Sequence, residues 1–348
     1  MKKFYHRSES PDYNINFFKD EKDKIKKIPK TLIVTGGSRN GNHLVWSLLD
    51  GHSKIPFIPG EDRFLSQLSI RNLNDSKKFM EDLRKDKFLF LKKLSGMTFD
   101  KWKVLDSKKI NLNKWAGKHE KEYVPILEFP NLIHEINYNK FKKKLENDYK
   151  KIKRLNFYQI FKLYLNAFKL LSPIKKKTVF KYVYAQSGLR REIMYLLQNK
   201  SNFKFLVPIR KFETFYFSKI KGLYNTTYIN KKLINEAWDH WFHKTNDYIL
   251  LKQKFPKNII LIQFEDLEDV NKREITMKKI LKKIGLKFEK INNYPTIFKK
   301  PVLPNSSFFI KRKNNITKDG IKSNLKFPTK KIPKEYFKTI KIVKKLSY

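Results

Sequence analysis

The chain has 348 residues, with 78 Lys or Arg against 33 Asp or Glu and no cysteine. That length allows one large α/β domain or two smaller ones, and 40% apolar residues with 29 phenylalanines supply a core, which excludes global disorder. The lack of cysteine excludes disulfides and thiolate metal sites and fits a reducing cytoplasm, while no long apolar run or signal-peptide core marks a membrane span or export.

A net charge of +45 invites a nucleic-acid reading. The lysines, however, are spread along the whole chain among Asn, Ile and Phe, as translation of an AT-rich genome would spread them. They crowd most at 299–348, where fifteen basic residues meet two acids, Asp319 and Glu335. That stretch is either a solvated basic tail or an electrostatic guide for a polyanion or an anionic membrane surface. The seven histidines form no metal-binding pattern; His240 and His243 merely share a helix face, and no metal site is expected.

Residues 1–30 are polar and charged and read as a basic lead-in. Thr31 to Thr35 is a β-branched run that enters a loop carrying Gly36, Gly37 and Gly41, followed at once by the apolar periodicity of Leu44, Val45, Leu48 and Leu49. Strand, glycine loop and helix in this order aim backbone N–H groups and a helix N-terminus at an anion. The spacing from Gly36 to Gly41 is that of a nucleoside-triphosphate loop, which would continue Lys and then Ser or Thr. Here Asn42 and His43 follow, so the phosphate lysine and the magnesium-binding hydroxyl are both missing, which argues against a kinase or ATPase. Arg39 is the loop's only cation.

Residues 63–175 read as a helical insertion with basic amphipathic segments at Phe141–Ile152 and Leu155–Leu171. A strand is predicted at 178–184, a helix at 188–198, a strand at 203–208, helices at 211–221 and 232–252, a strand at 258–264 and a helix at 272–284. Alternating strands and helices imply an α/β protein whose parallel sheet is covered on both faces. The strand at 203–208 runs into Arg210, and Ser218 lies eight residues further on. A guanidinium and a hydroxyl brought together by the following helix could hold one phosphate.

Two motifs in this order resemble the sulfotransferases that use 3′-phosphoadenosine-5′-phosphosulfate. Their phosphosulfate loop has the form Gly-x-Pro-Arg/Lys-Ser-Gly-Thr-Thr, continued by leucine-leucine-x-x-His-Pro-x-Ile; this chain has Gly36 to His43 and then Leu48-Leu49-Asp50-Gly51-His52-Ser53-Lys54-Ile55. Their second motif is Arg-Asp-Pro-Arg with a serine eight residues after the first arginine; here the Asp-Pro is replaced by Lys211-Phe212 while the spacing to Ser218 survives. Phe264-Glu265-Asp266-Leu267 is similar to the family's Tyr-Glu-Asp-Leu, and Asn305-Ser306-Ser307-Phe308 to a late Asn-Ser-Ser-Phe element. Trp238 and Trp241 fall where the family has a Trp-containing segment and read as core aromatics.

The resemblance covers about residues 31–62 and 178–310 and implies a three-layer α/β/α domain with a P-loop-like parallel sheet over 31–310, followed by a basic segment at 311–348. It implies sulfuryl transfer, without a metal, to a hydroxyl or amine of a glycan, lipid, small alcohol or peptide tyrosine. Arg39 would meet the charge developing on the leaving oxygen. Gly36, Gly37, Ser38, Asn40, Gly41, Asn42 and His43 would surround the 5′-phosphosulfate, and Arg210 with Ser218 the 3′-phosphate. Phe264, Asn305, Ser306 and Ser307 would complete the nucleotide site. Glu61 is the favoured general base, with Asp62 and His43 as substitutes, and Lys181 would reach a sulfonate oxygen. A nucleic-acid-binding protein on the same scaffold and a non-catalytic nucleotide binder remain the alternatives.

Overall fold

The structure, a computed structural model, describes residues 30–37, 39–55, 123–125, 140, 143–144, 147–148, 182–187, 203–219, 231–297, 300–303, 306–311 and 332–347. The N-terminal lead-in and most of the insertion at 63–175 lie outside them. Strand β1 (Thr31–Gly36) is followed by helix α1 (Asn42–Leu49) and the short β2 (Tyr123–Pro125). Next come β3 (Tyr182–Ser187), β4 (Phe203–Ile209), α2 (Phe212–Lys219) and α3 (Lys231–Lys254). The chain continues through β5 (Ile259–Gln263), α4 (Phe264–Glu268) and α5 (Val270–Lys283). It ends with β6 (Thr296–Ile297), β7 (Lys300–Leu303), β8 (Ser306–Lys311) and α6 (Lys334–Leu346).

Four strands form a parallel sheet in the order β3-β1-β4-β5. β1 is central and every one of its residues is buried, as the β-branched run requires of a strand covered on both faces. Alternation sends Leu32 and Val34 to one face, where they join Leu206, Ile260 and Ile262 in a core with Leu44, Val45, Leu48 and Leu49 of α1 and Met277, Ile280 and Leu281 of α5. On the other face α3 and α6 pack on β5 and on each other. The result is three layers, α/β/α. A second, antiparallel sheet in the order β2-β8-β7-β6 lies against α1.

The strand predicted at 178–184 forms at 182–187, where Tyr182 pairs with Thr31 and Ser187 with Gly36. Pairing with β1 carries it past the predicted end at 184. The predicted helix at 188–198 lies outside the described residues. The stretch read as a separate basic segment ends in α6, which turns Tyr336, Thr339 and Val343 into the molecule, and Ser347 then bridges to Leu261 beside β5. Among the described residues no helix is long and apolar enough to cross a membrane.

The turns near α1 show why its continuation matters. Asp50 accepts from the Thr296 hydroxyl at 2.7 Å, and Asn292 donates to the Leu48 carbonyl at 2.8 Å. His52 is buried, with Nε2 on the Lys287 carbonyl at 2.9 Å and Nδ1 accepting from the Lys54 N–H at 3.0 Å. These bonds fasten the far end of α1 to the segment before β6, so the Leu-Leu-x-x-His stretch anchors the helix rather than facing the glycine loop. Arg273 acts similarly after α4: its guanidinium donates to the carbonyls of Leu267, Glu268 and Asn293.

Candidate anion site at the strand ends

The chain leaves β1 to one side for β3 and returns on the other side for β4, so a crevice opens at the carboxyl ends of β1 and β4. In open α/β sheets this is where ligands bind. Thr31 is level with Phe203 and Val34 with Leu206. Continuing that register sets Gly37 level with Ile209, one residue before Arg210. The two motifs, some 170 residues apart in sequence, are therefore neighbours by topology.

The loop after β1 turns sharply. Arg39 has φ 68° and Gly41 has φ 96°, both left-handed. Gly41 caps α1 with no side chain accepting from the helix, while the N–H groups of Leu44 and Val45 donate to its carbonyl, so the N–H groups of Asn42 and His43 are the ones at the loop. A Cβ at Gly41 would lie 2.0 Å from the Phe264 ring, so only glycine fits there. Phe264 is itself buried, and Arg210 lies over its ring, with the guanidinium carbon 3.8 Å from the ring centroid. One aromatic ring thus meets both the cap of α1 and the arginine.

Arg210 is 7% exposed. Its Nη1 donates to the Arg39 carbonyl at 3.4 Å and its Nη2 is 3.9 Å from a Glu268 carboxylate oxygen, while Nε has no partner among the described residues. Burial pushes its pKa down, and the Glu268 and Glu265 carboxylates oppose that shift. Its backbone is held from two directions: its N–H donates to Asn40 Oδ1 at 3.2 Å and its carbonyl accepts from Trp241 Nε1 at 2.7 Å. The next N–H, that of Lys211, donates to Glu265 Oε1 at 2.8 Å, and the Thr214 hydroxyl donates to the same oxygen at 3.0 Å. Burial pushes the Glu265 carboxyl above the usual carboxylate range, against the pull of these donors and of Arg210.

Of the residues read from sequence, Gly36, Gly37, Arg39, Asn40, Gly41, Asn42, Arg210 and Phe264 come together around this turn. Asn40 and Phe264 do so as buried packing and hydrogen-bonding partners of Arg210. Asn42 turns its amide back, with Nδ2 donating to the Gly36 carbonyl at 3.5 Å. Ser218 is half-buried in the last turn of α2. It lies about 9 Å along the helix axis from Phe212, at the usual rise per residue. His43 contributes its backbone to α1, and Ser306 and Ser307 begin β8. Ser38, Glu61, Asp62, Lys181 and Asn305 lie outside the described residues; β3 begins at Tyr182, level with the amino end of β1. Sequence reasoning missed Trp241 and Glu265 as supports of Arg210. Trp241 is a core aromatic, as read, but its indole N–H also holds the strand end.

At the level of sequence, no family model and no curated protein matches the chain. Solved structures do. The sulfotransferase domain of the Synechococcus PCC 7002 olefin synthase superposes over 94% of this chain and 98% of its own, with TM-score 0.50 and 13% identity. The chain has the sulfotransferase fold. A sulfotransferase domain from the curacin biosynthetic pathway covers 93% of this chain and 99% of its own at 16% identity and TM-score 0.48. Sulfotransferase STF9 from Mycobacterium avium covers 77% and 67% at 12% identity and TM-score 0.38. Within the sulfotransferase fold, the glycine turn and Arg210 stand at the carboxyl ends of adjacent central strands.

Proposed function

We propose that the chain is a sulfotransferase that moves a sulfuryl group from 3′-phosphoadenosine-5′-phosphosulfate to a hydroxyl or amine of its acceptor. The observation that carries this reading is the meeting of Arg210 with the glycine turn: Nη1 of Arg210 lies 3.4 Å from the carbonyl of Arg39. The donor set suits such a nucleotide. An uncapped helix N-terminus and a left-handed turn present backbone N–H groups to one anion. Arg210, whose Nε is buried without a partner among the described residues, is suited to a second anion close by. The loop lacks the lysine and hydroxyl that a triphosphate and magnesium would need.

In the reaction the acceptor's oxygen or nitrogen bonds to sulfur as the bond from sulfur to the bridging phosphate oxygen breaks, and the acceptor's proton passes to a base. Arg39 and the loop amides meet the charge that builds on the departing oxygen, a stabilisation larger in the transition state than in the ground state. Arg210 and Ser218 hold the 3′-phosphate away from the reacting centre. Glu61 is assigned the base, with Asp62 or His43 as substitutes; Lys181 precedes the residue level with the amino end of β1 and is given no sulfonate contact at the carboxyl ends. The lack of cysteine fits a reaction run in the cytoplasm.

The test is turnover. The full chain, given the donor and a panel of hydroxyl and amine acceptors, should release adenosine 3′,5′-bisphosphate in step with a sulfated product. Absence of release with every acceptor, in protein that binds the bisphosphate, would leave a non-catalytic nucleotide binder instead.

A further inference from the structure

Between the end of β4 and the start of α2 the backbone of Arg210 belongs to neither element, so side chains must satisfy it. Trp241 supplies the donor for its carbonyl. The acceptor for its N–H comes from the glycine loop itself, from Asn40. That residue is 3% exposed, and its own N–H donates to the Gly37 carbonyl at 3.2 Å, closing the turn. Its amide nitrogen lies 2.4 Å from where a Cβ on Gly37 would be, so the side chain is tucked beneath the loop. From there Oδ1 reaches across to β4. The family pattern has serine at this position, and a serine hydroxyl is one bond shorter than the amide oxygen of asparagine.

We propose that Asn40 is a positioning residue that couples the two halves of the site. Its amide oxygen fixes the spacing between the glycine turn and Arg210, so that one ligand engages both at once. The inference rests on the reading of the crevice as a bisphosphate site. Its physical content is preorganisation. When two subsites are held at the right distance, a ligand's second contact forms within one molecule, and affinity exceeds that of either contact alone. When the spacing drifts, each subsite still works but the advantage of joining them declines. The Arg210 Nη1 contact to the Arg39 carbonyl, at 3.4 Å, is a longer second link that the Asn40 bond supports.

The experiment measures three affinities by calorimetry, for adenosine 3′,5′-bisphosphate, adenosine 5′-monophosphate and adenosine 3′-monophosphate, on the full chain and on Asn40→Ser. In the unsubstituted chain the bisphosphate should bind far more tightly than either monophosphate. Asn40→Ser should lower that preference about tenfold, the scale of one lost hydrogen bond, while shifting each monophosphate less than about threefold. A loop that is merely damaged would weaken all three ligands together and leave the preference intact, which would overturn the proposal. If the unsubstituted chain shows no preference for the bisphosphate, the functional reading fails, and that outcome is distinct from a failure of Asn40.

Discussion

The glycine turn and the Arg210 turn sit side by side, yet they are built on opposite principles. The first is made of backbone: two left-handed residues, Arg39 and Gly41, and an uncapped helix end present N–H groups whatever side chains follow. The second is made of a side chain whose backbone is held by Asn40 and Trp241, with Glu265 on the next N–H. A backbone cradle tolerates substitution of its side chains, so Asn42 and His43 can stand where hydroxyl residues are usual. A side-chain cradle tolerates changes in its own neighbours provided its distant supports remain, which is how the Arg-Asp-Pro pattern can be lost around Arg210. Phe264 is shared by both, close to Gly41 and to Arg210.

That contrast can be broken at several points. Arg39→Ala should reduce turnover by about 10²–10³-fold, the usual scale for a lost oxyanion donor, with a denaturation midpoint close to that of the parent. Near-normal turnover would remove Arg39 from the chemistry. Gly41→Ala attacks the backbone cradle directly, because the new Cβ meets Phe264 at a left-handed position. It should cost on the order of 2–4 kcal/mol in urea unfolding, and a loss under 1 kcal/mol would mean the loop adapts freely. Trp241→Phe attacks the side-chain cradle, leaving the Arg210 carbonyl buried without its donor, and should cost about 1–3 kcal/mol. It should also weaken bisphosphate binding; intact affinity would show that the carbonyl bond is not needed to aim the guanidinium.

The smallest effect concerns Glu265 and pH. Burial raises its folded pKa above the unfolded value, so the folded state binds more protons between the two. Stability from this group is therefore greatest below the ordinary carboxylate pKa and falls as pH rises through the window up to the raised value. Glu265→Gln keeps an acceptor oxygen for Lys211 and Thr214 and removes the titration. The variant's stability relative to the parent should rise across that window and then level off, as read from urea midpoints at a series of pH values. A constant difference would place the Glu265 pKa at its ordinary value.

Much of the backbone cradle was legible in the sequence. A β-branched run, three glycines and an apolar helical stripe are local signals, and β1 and α1 form where they point. Arg210 was legible through its spacing to Ser218 and its strand. Its supports were not, because Asn40 is 170 residues away, Trp241 is 31, and Glu265 is 54 from Lys211, whose N–H it holds. No local periodicity reports contacts across such separations. Trp241 shows the limit most clearly: a buried aromatic was expected, and nothing in its neighbourhood revealed that its N–H would face a strand end. β3 runs on to Ser187, three residues past the predicted end at 184, because pairing with β1 continues to Gly36. The α6 helix was missed, although Pro333 at its start and Tyr336, Thr339 and Val343 at helical spacing were there to be read.

A thermal unfolding series with adenosine 3′,5′-bisphosphate, ADP and ATP at equal concentration tests most directly whether the two cradles grip one doubly phosphorylated adenosine. A ligand at 100 times its dissociation constant stabilises the folded state by about 2.7 kcal/mol. The bisphosphate should therefore raise the midpoint well above the shifts given by ADP and ATP. Equal shifts from all three, or a larger one from ATP with magnesium, would contradict the account.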